Sequence, residues 1–169
     1  MNIKKSDLIQ NSSIKRILIL GHSGYIGMHL MESYRKNFPE INVFGRSFPE
    51  IDLTKSSSIQ EISYFFDEGT VVVLCSGIKK QYGDTLDIYM QNMEMVTNLC
   101  SLLQERPLKR LVYISSAEVY GEAVEDTNIT EDTPVQPSSY YGIAKYASEK
   151  LLAKAFEKIE GSSLLIVRP

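Results

Sequence analysis

Residues 16–27 have the sequence RILILGHSGYIG, in which a short apolar run leads directly into three glycines. The run is rich in β-forming residues and ends at Gly21, which is typical of a strand buried on both faces of a sheet. Gly21, Gly24 and Gly27 are each separated by two residues, and such glycines allow a sharp turn and close packing of a helix on the strand. This stretch therefore predicts a strand, a tight turn and the start of a helix.

The rest of the chain continues the alternation of apolar strands and longer helices. The predicted strands cover residues 16–20, 41–44, 71–75, 110–115 and 163–167, and the predicted helices cover residues 25–36, 56–66, 84–104 and 139–158. Strands that alternate with helices in this way call for a parallel sheet with helices on both faces. We therefore expect an α/β fold of three layers, with a doubly wound, Rossmann-like parallel sheet.

The composition indicates a globular protein with a single core. The chain has 169 residues, of which 43% are hydrophobic and 23% are charged, enough for one domain but not for two. We expect that domain to cover residues 14–169, after a flexible tail at residues 1–13 that is not a targeting signal. No apolar run approaches the roughly 18 residues that a membrane span needs.

The charge and the cysteine content exclude further classes of partner. The net charge is −3 and no cluster of Lys or Arg is longer than a pair, so we expect neither nucleic acid nor a membrane surface as a partner. Cys75 and Cys100 are too few for a metal cluster and lie in apolar stretches. We therefore expect no metal site, and two buried thiols in a reducing cytoplasm.

The glycine-rich turn also predicts a binding site for a dinucleotide. In such a turn a pyrophosphate approaches the backbone at the start of the helix, here Tyr25, Ile26 and Gly27, and Gly21 and Gly24 leave room for it. The helix dipole favours the two phosphate charges. The alternative is a tight turn that binds nothing, but the position directly after a buried first strand favours the binding site.

The end of the second predicted strand bears on which dinucleotide is bound. About 20 residues beyond the glycines, where a NAD site presents an acid to the ribose 2′-hydroxyl, the chain reads Gly45-Arg46-Ser47. The guanidinium of Arg46 suits the 2′-phosphate of NADP, because it binds a phosphate in a bidentate manner. The sequence therefore favours NADP over NAD, with an exposed surface arginine as the alternative.

Two Tyr–Lys pairs with a spacing of four residues lie in the last predicted helix. They are Tyr141 with Lys145 and Tyr146 with Lys150. A spacing of four places each pair on one face of a helix. Because the chain has 10 tyrosines, such pairs also arise by chance, and the spacing alone does not choose between them.

Four segments of the chain together form a specific pattern. They are residues 21–27 (GHSGYIG), 111–121 (LVYISSAEVYG), 129–134 (ITEDTP) and 137–145 (PSSYYGIAK). In this order they resemble the extended short-chain dehydrogenase/reductases of the NAD-dependent epimerase/dehydratase family, which act on nucleotide sugars. The resemblance runs from the first strand to the end of the chain.

The resemblance implies a catalytic trio of Ser116, Tyr141 and Lys145, and leaves Tyr146 and Lys150 as a pair on the helix surface. In the implied mechanism, Tyr141 takes a proton from a sugar hydroxyl while the carbon passes a hydride to the nicotinamide. Lys145 and the positive nicotinamide ring would lower the pKa of Tyr141, and Ser116 would hydrogen-bond the substrate oxygen. Tyr141 and Lys145 would also contact the cofactor.

The resemblance places further cofactor contacts beyond the glycine-rich turn. Asp52, followed by Leu53, matches an acid that contacts adenine, with a plain turn or cap residue as the alternative. The small residues Cys75-Ser76-Gly77 occupy the place where the chain passes under the cofactor. Asn92 matches a helix asparagine that supports the active site, with a solvated surface residue as the alternative.

Glu118 is a candidate substrate residue. Dehydratases of the family carry an Asp-Glu pair after the catalytic hydroxyl, and this chain has Ala117-Glu118 there. The missing Asp favours an epimerase or a reductase over a dehydratase. The alternative is a solvated acidic loop, which includes the acids at positions 122, 125 and 126.

The resemblance implies a NAD(P)-dependent oxidoreductase that acts on a nucleotide sugar, with polysaccharide biosynthesis as the expected setting. Family members carry a substrate region beyond the sixth strand, and the chain ends at Pro169. We therefore expect that region to be absent, and these residues alone to bind the cofactor but to turn over poorly. The alternative is a non-catalytic NADP-binding sensor or scaffold on the same fold.

The resemblance also implies a possible homodimer. Members of the family pair two long helices, here residues 84–104 and 139–158, into a four-helix bundle. The apolar positions that could form that seam, or could face the sheet instead, are Met93, Val96, Leu99, Ala147 and Leu151.

Overall fold

The computed structural model describes residues 14–121 and 128–169. The predicted tail and the acids at positions 122, 125 and 126 lie outside the described residues. The described residues form one sheet of five parallel strands, with helices packed on both of its faces. The predicted α/β, Rossmann-like fold is confirmed.

The strands and helices follow the predicted order. The strands are β1 (Arg16–Leu20), β2 (Asn42–Arg46), β3 (Thr70–Leu74), β4 (Arg110–Ile114) and β5 (Ser163–Val167). The helices are α1 (Tyr25–Asn37), α2 (Ser56–Gln60), α3 (Leu86–Glu105) and α4 (Tyr140–Phe156), with 3₁₀ turns at Ser63–Phe65, Lys80–Tyr82 and Ala117–Tyr120. In the described residues β5 is thus the fifth strand, whereas the resemblance counts it as the sixth.

The strand order places a crevice beside β1. The order across the sheet is β2-β1-β3-β4-β5, so the chain leaves β1 toward one edge and returns to build the other. Leu20 at the end of β1 pairs with Arg46 on one side and with Leu74 on the other, so these three strands end at the same level. Open α/β sheets bind ligands at such a switch point, outside the carboxyl ends of the strands.

The two faces of the sheet are covered by different helices. On one face, side chains of α3 and α4 such as Leu99 and Leu152 pack on β1, β3 and β4. On the other face, Met31 of α1 packs on Ile17, Ile19 and Val73. Among the described residues, no helix combines the length and the apolar character needed to cross a lipid bilayer.

The packing corrects part of the predicted dimer seam. Val96 and Leu99 are buried in the core against the sheet and are not available to a second copy. Leu151 is exposed, and Met93 and Ala147 are partly exposed. The sheet-facing alternative therefore applies to the two residues of α3 that point inward.

The helix boundaries depend on local chemistry. The hydroxyls of Thr85 and Ser139 accept hydrogen bonds from the backbone of the first turns of α3 and α4, so these helices begin one or two residues after the predicted starts. The predicted helix over residues 56–66 is wrong in length, because α2 ends at Gln60. Three consecutive serines at 56–58 are weak helix formers, and a 3₁₀ turn then buries Phe65 in the core.

A buried ion pair ties α4 to the ends of β4 and β5. Glu149 accepts hydrogen bonds from the Ser115 hydroxyl at 2.5 Å and from Arg168 at 2.9 and 2.6 Å. Arg168 also donates to the Tyr120 hydroxyl at 2.9 Å. The Glu149 side chain is 3% exposed and that of Arg168 is 20% exposed. Removing one partner of such a pair leaves an uncompensated charge in the interior, which is strongly destabilising.

Replacement of Glu149 with Gln is expected to lower the free energy of unfolding by about 3 kcal/mol, because Arg168 loses its counter-charge. Urea unfolding measures the change. The matched control, Glu157→Gln, breaks the exposed ion pair with Lys154 and is expected to leave the unfolding midpoint unchanged. Equal midpoints for the two variants would contradict a structural role of the buried pair.

Candidate active site

A cavity of about 650 Å³ lies at the crevice between the ends of β1, β2 and β3. The predicted cofactor residues that line it are Gly21, Gly24, Asp52, Leu53, Cys75, Ser76 and Gly77. The predicted cofactor residues that lie outside its lining are Tyr25, Ile26, Gly27, Arg46, Asn92, Tyr141 and Lys145. The cavity thus joins the glycine-rich turn, the segment after β2 and the segment after β3.

The glycine-rich turn passes so close to the end of β3 that side chains are excluded. Gly21 has φ of +87°, and a Cβ atom there would lie 2.7 Å from the backbone nitrogen of Ser76. A Cβ atom on Gly27 would lie 2.3 Å from the carbonyl oxygen of Gly21. Gly24 has no such clash, because its nearest neighbour would be 3.4 Å away. The first and third glycines therefore hold the turn closed, while the second leaves the cavity wall bare.

The start of α1 suits an anionic group. Gly24 is the N-cap residue and offers no side chain to cap the first N–H groups, and the first turn contains no acid. Unpaired N–H groups and the positive end of the helix dipole favour a phosphate at such a position. Tyr25, Ile26 and Gly27 contribute this first turn. The bare glycine wall, the helix start and the cavity volume together fit a dinucleotide.

Asp52 both builds a turn and lines the cavity. Its carboxylate accepts hydrogen bonds from the backbone and the hydroxyl of Thr54, at 3.1 and 2.7 Å, and Lys55 lies 3.4 Å away. The Thr54 hydroxyl is the largest cause of a lowered pKa of Asp52, and Lys55 acts in the same direction. The carboxylate is therefore charged and held in place beside Leu53, whose carbonyl oxygen accepts a hydrogen bond from Asn98 at 3.0 Å.

Arg46 points away from the cavity lining. Its guanidinium contacts Glu50 at 3.3 Å and the Tyr64 hydroxyl at 3.3 Å, and it lies over the ring of Phe65. The neighbouring Ser47 does line the cavity, and its hydroxyl accepts a hydrogen bond from the Ser23 backbone at 3.0 Å. Ser47 thus contacts the glycine-rich turn through its side chain, whereas Arg46 contacts it through its backbone carbonyl, which accepts a hydrogen bond from the Gly21 N–H at 2.8 Å.

Asn92 holds the segment after β3 in place. Its amide group accepts a hydrogen bond from the Ile78 backbone N–H at 2.8 Å and donates to the Ile78 carbonyl at 3.0 Å. The side chain is buried, so the solvated alternative does not apply. Asn92 therefore shapes the cavity through Ile78, which lines it.

Ser116 and Tyr141 lie side by side where β4 ends and α4 begins. Ser116 is the N-cap of the 3₁₀ turn Ala117–Tyr120, and its hydroxyl accepts a hydrogen bond from the Glu118 backbone at 3.2 Å. Tyr141 lies in the first turn of α4, where its backbone N–H donates to Asp84 at 3.0 Å. Both residues line a second cavity, of about 440 Å³, next to the first.

Lys145 lies one turn after Tyr141, and its ammonium lies next to Gly77 in the lining of the first cavity. Its ammonium donates to the Ile114 carbonyl at 2.9 Å and lies 4.9 Å from the ring centre of Tyr113 and 5.7 Å from that of Tyr141. A Cβ atom on Gly77 would lie 3.4 Å from the ammonium. Because Gly77 lines the first cavity, the Lys145 ammonium lies beside that cavity.

Burial is the largest influence on the pKa of Lys145 and on that of Tyr141. Desolvation lowers the pKa of Lys145 to about 8, while Cys75 and Glu149 act in the opposite direction. Desolvation also raises the pKa of Tyr141; a hydrogen bond with Ser116 lowers it and the charge of Glu118 raises it. Lys145 is not among the causes that shift the pKa of Tyr141 in the protein without cofactor. The lowering of that pKa by Lys145 together with a bound nicotinamide stays a prediction.

Glu118 lies at the wall of the second cavity rather than in open solvent. Its carboxylate contacts the Lys80 ammonium at 3.3 Å and accepts a hydrogen bond from the Ser139 hydroxyl at 3.3 Å. Lys79, Lys80 and Gln81 complete this cavity around Ser116 and Tyr141. A substrate bound there would meet both a carboxylate and ammonium groups.

Lys79 was not singled out from the sequence, although it lines both cavities. Its position four residues after Cys75, in the segment that follows β3, was the available signal. Tyr146 and Lys150 line neither cavity. The Lys150 ammonium lies over the Tyr146 ring, 4.9 Å from the ring centre. Within the described ranges, no group of three or more His, Cys, Asp or Glu side chains could hold a metal ion.

Known proteins are similar to this chain in sequence or in fold over most of its length. One relative, N-acetyl-α-D-glucosaminyl-diphospho-ditrans,octacis-undecaprenol 4-epimerase of Escherichia coli O157:H7, is 27% identical over 161 residues, which is 90% of this chain and 47% of that protein. A sterol-4-α-carboxylate 3-dehydrogenase of Candida albicans is 29% identical over 165 residues, 86% of this chain and 47% of that protein. The structure of the UDP-Glc/GlcNAc 4-epimerase from Campylobacter jejuni superposes with a TM-score of 0.75 at 22% identity, covering 91% of this chain and 53% of that one.

The chain spans about half the length of these relatives. The profile of the NAD-dependent epimerase/dehydratase family matches residues 17–169, nearly the whole chain. That match includes the glycine-rich turn, the segment with Ser116 and the helix with Tyr141 and Lys145. The chain therefore belongs to the NAD-dependent epimerase/dehydratase family.

Proposed function

We propose that the protein is a NAD(P)-dependent epimerase or reductase that acts on a sugar carried by a diphosphate, most simply a nucleotide sugar. The observation that supports this proposal is the placement of Tyr141 and Ser116 in the second cavity, next to the first. The Lys145 ammonium lies between the two cavities. The similarity to epimerases of sugar diphosphates supports this substrate class.

The chain's own residues move the proton of the reaction. Tyr141 accepts the proton of a sugar hydroxyl when that carbon is oxidised, and returns it when the carbonyl is reduced. Ser116 hydrogen-bonds the same oxygen and holds it for the transfer. The Lys145 ammonium lies 5.7 Å from the Tyr141 ring centre, and together with the charge of a bound nicotinamide it would offset the effect of burial on the Tyr141 phenolate. A bound nicotinamide supplies the hydride acceptor and donor.

We propose NADP as the preferred cofactor. Asp52 is the one acid among the described residues that line the cavity, and Arg46 stands next to Ser47 at its wall. The Arg46 guanidinium donates to the Gly45 carbonyl at 2.8 Å and makes one contact each with Glu50 and Tyr64. A 2′-phosphate can replace the contacts with Glu50 and Tyr64 by a bidentate pair.

Tyr141→Phe is expected to reduce turnover by a factor of about 10² to 10⁴, because the variant has no group to exchange the proton. Epimerisation of UDP-glucose or UDP-N-acetylglucosamine measures turnover, and titration with NADPH is expected to show an unchanged affinity. The control is Tyr146→Phe, on the neighbouring turn outside both cavities. Unchanged turnover in Tyr141→Phe would refute the catalytic role and favour a cofactor-binding sensor.

Arg46→Ala is expected to weaken NADPH binding about tenfold, because the 2′-phosphate loses a charge-assisted partner. NADH binding should change less than about twofold, as NADH carries no such phosphate. Thermal-shift titrations with both nucleotides measure the ratio. Arg35→Ala, an exposed arginine on α1, is the control, and an equal effect on both nucleotides would argue against NADP preference.

Glu118→Gln is expected to shift the acid side of the pH–rate profile to lower pH. The Glu118 charge raises the pKa of Tyr141, so its removal lets the phenolate form at lower pH. The profile of kcat/KM reports this pKa whatever the loss in rate. A shift to higher pH would show that Glu118 acts on Tyr141 in another way.

A further inference from the structure

Two aromatic side chains on the rim of the dinucleotide cavity are left in water. Phe48 is 74% exposed and Tyr82 is 80% exposed, yet both line the 650 Å³ cavity. An aromatic side chain can bury roughly 150–250 Å² of surface, so each ring forgoes a large stabilisation in the free protein. Their place at a cavity mouth suggests that a ligand, rather than the fold, covers them.

The two rings come from opposite sides of the crevice. Phe48 follows β2 and lies within a turn closed by a hydrogen bond from the Ile51 backbone N–H to the Ser47 carbonyl at 3.0 Å. Tyr82 ends the 3₁₀ turn that follows β3. Since β2 and β3 flank β1 in the sheet, the rings stand on either side of the glycine-rich turn.

The part of the cavity next to Phe48 suits a purine base. The cavity wall near this ring carries the apolar side chains of Ile51 and Leu53 and the charged carboxylate of Asp52. Asn98 of α3 holds the Leu53 carbonyl, which brings α3 and its cavity-lining Met95 to the same wall. Apolar surfaces suit the faces of adenine, and a carboxylate can accept a hydrogen bond from its amino group.

The side of Tyr82 leads to the catalytic cleft. The same segment carries Lys79, which lines both cavities, and Lys80, which contacts Glu118 beside Ser116. Tyr82 itself lines only the first cavity, on the side where Lys79 connects that cavity to the second.

We propose that Phe48 stacks on the adenine of the bound dinucleotide and that Tyr82 packs over its nicotinamide half, so that the two rings close the cofactor cavity from both ends. This inference rests on the proposed function, because it needs a dinucleotide in the cavity. Neither ring is part of the proton-transfer trio, and their contribution is to cofactor affinity.

The test measures binding of NADPH, NADH and ADP to the wild type and to Phe48→Ala and Tyr82→Ala. The chain contains no tryptophan, so the fluorescence of the reduced nucleotides is read without indole background. Phe48→Ala is expected to weaken the preferred dinucleotide and ADP by about tenfold each, the size of one lost stacking contact. Tyr82→Ala is expected to weaken the dinucleotide about tenfold and to leave ADP within twofold.

Two further variants complete the design. Phe48→Trp keeps an aromatic face, so it is expected to retain affinity, with indole emission quenched by the bound reduced nucleotide. Leu165→Ala removes another exposed apolar side chain, on β5 outside the cavity, and is expected to bind as the wild type does. Both rings lie at the surface, and thermal unfolding checks that the alanine variants are folded.

The outcomes separate the two proposals. Wild-type affinity in both alanine variants would overturn the role of the rings and leave dinucleotide binding intact. A loss of ADP affinity in Tyr82→Ala equal to that in Phe48→Ala would overturn the assignment of the two ends. Absence of any dinucleotide binding by the wild type would overturn the proposed function itself.

Discussion

The close approach of the glycine-rich turn to the end of β3 is the constraint on which the candidate site depends. The backbone of Gly21 lies where a Cβ atom would meet Ser76, and Gly27 packs on the carbonyl of Gly21 in the same way. Because no side chain can intervene, the starts of α1 and of the segment after β3 stand at the two sides of one crevice. The cavity lies beside this contact. Gly24, the N-cap of α1, and Gly77, next to Lys145, both line the cavity.

A second constraint is the burial of two charged side chains of α4, which must be stabilised away from water. Lys145 and Glu149 are successive buried charges on one face of α4, and each has partners that offset its desolvation. Lys145 uses the Ile114 carbonyl and the face of the Tyr113 ring, whereas Glu149 uses Ser115 and Arg168. The partners come from β4, from the residue after it and from the residue after β5, so α4 is held to the sheet by the groups that stabilise its buried charges.

Much of the fold was accessible from the sequence, because strands buried on both faces are continuous apolar runs and the helices lie between those runs. The predicted strands, their parallel arrangement and the long helices agree with the structure. The predicted length of α2 does not agree with the structure, because the end of this helix depends on where Phe65 enters the core. The inward direction of Val96 and Leu99 was equally undecided, because an apolar helix position suits a core and a dimer seam alike.

By itself the sequence determined the α/β class and the glycine-rich turn, since these are local patterns along the chain. The candidate trio came from the resemblance of four segments to a known family. Only the tertiary structure decided that Arg46 turns toward Glu50 and Tyr64, that Asn92 holds Ile78, and that Lys79 joins the two cavities. It likewise decided that the pKa of Tyr141 is raised and that of Lys145 is lowered. Contacts and desolvation arise between segments far apart in the chain, and no local pattern encodes how much water the folded protein removes from a side chain.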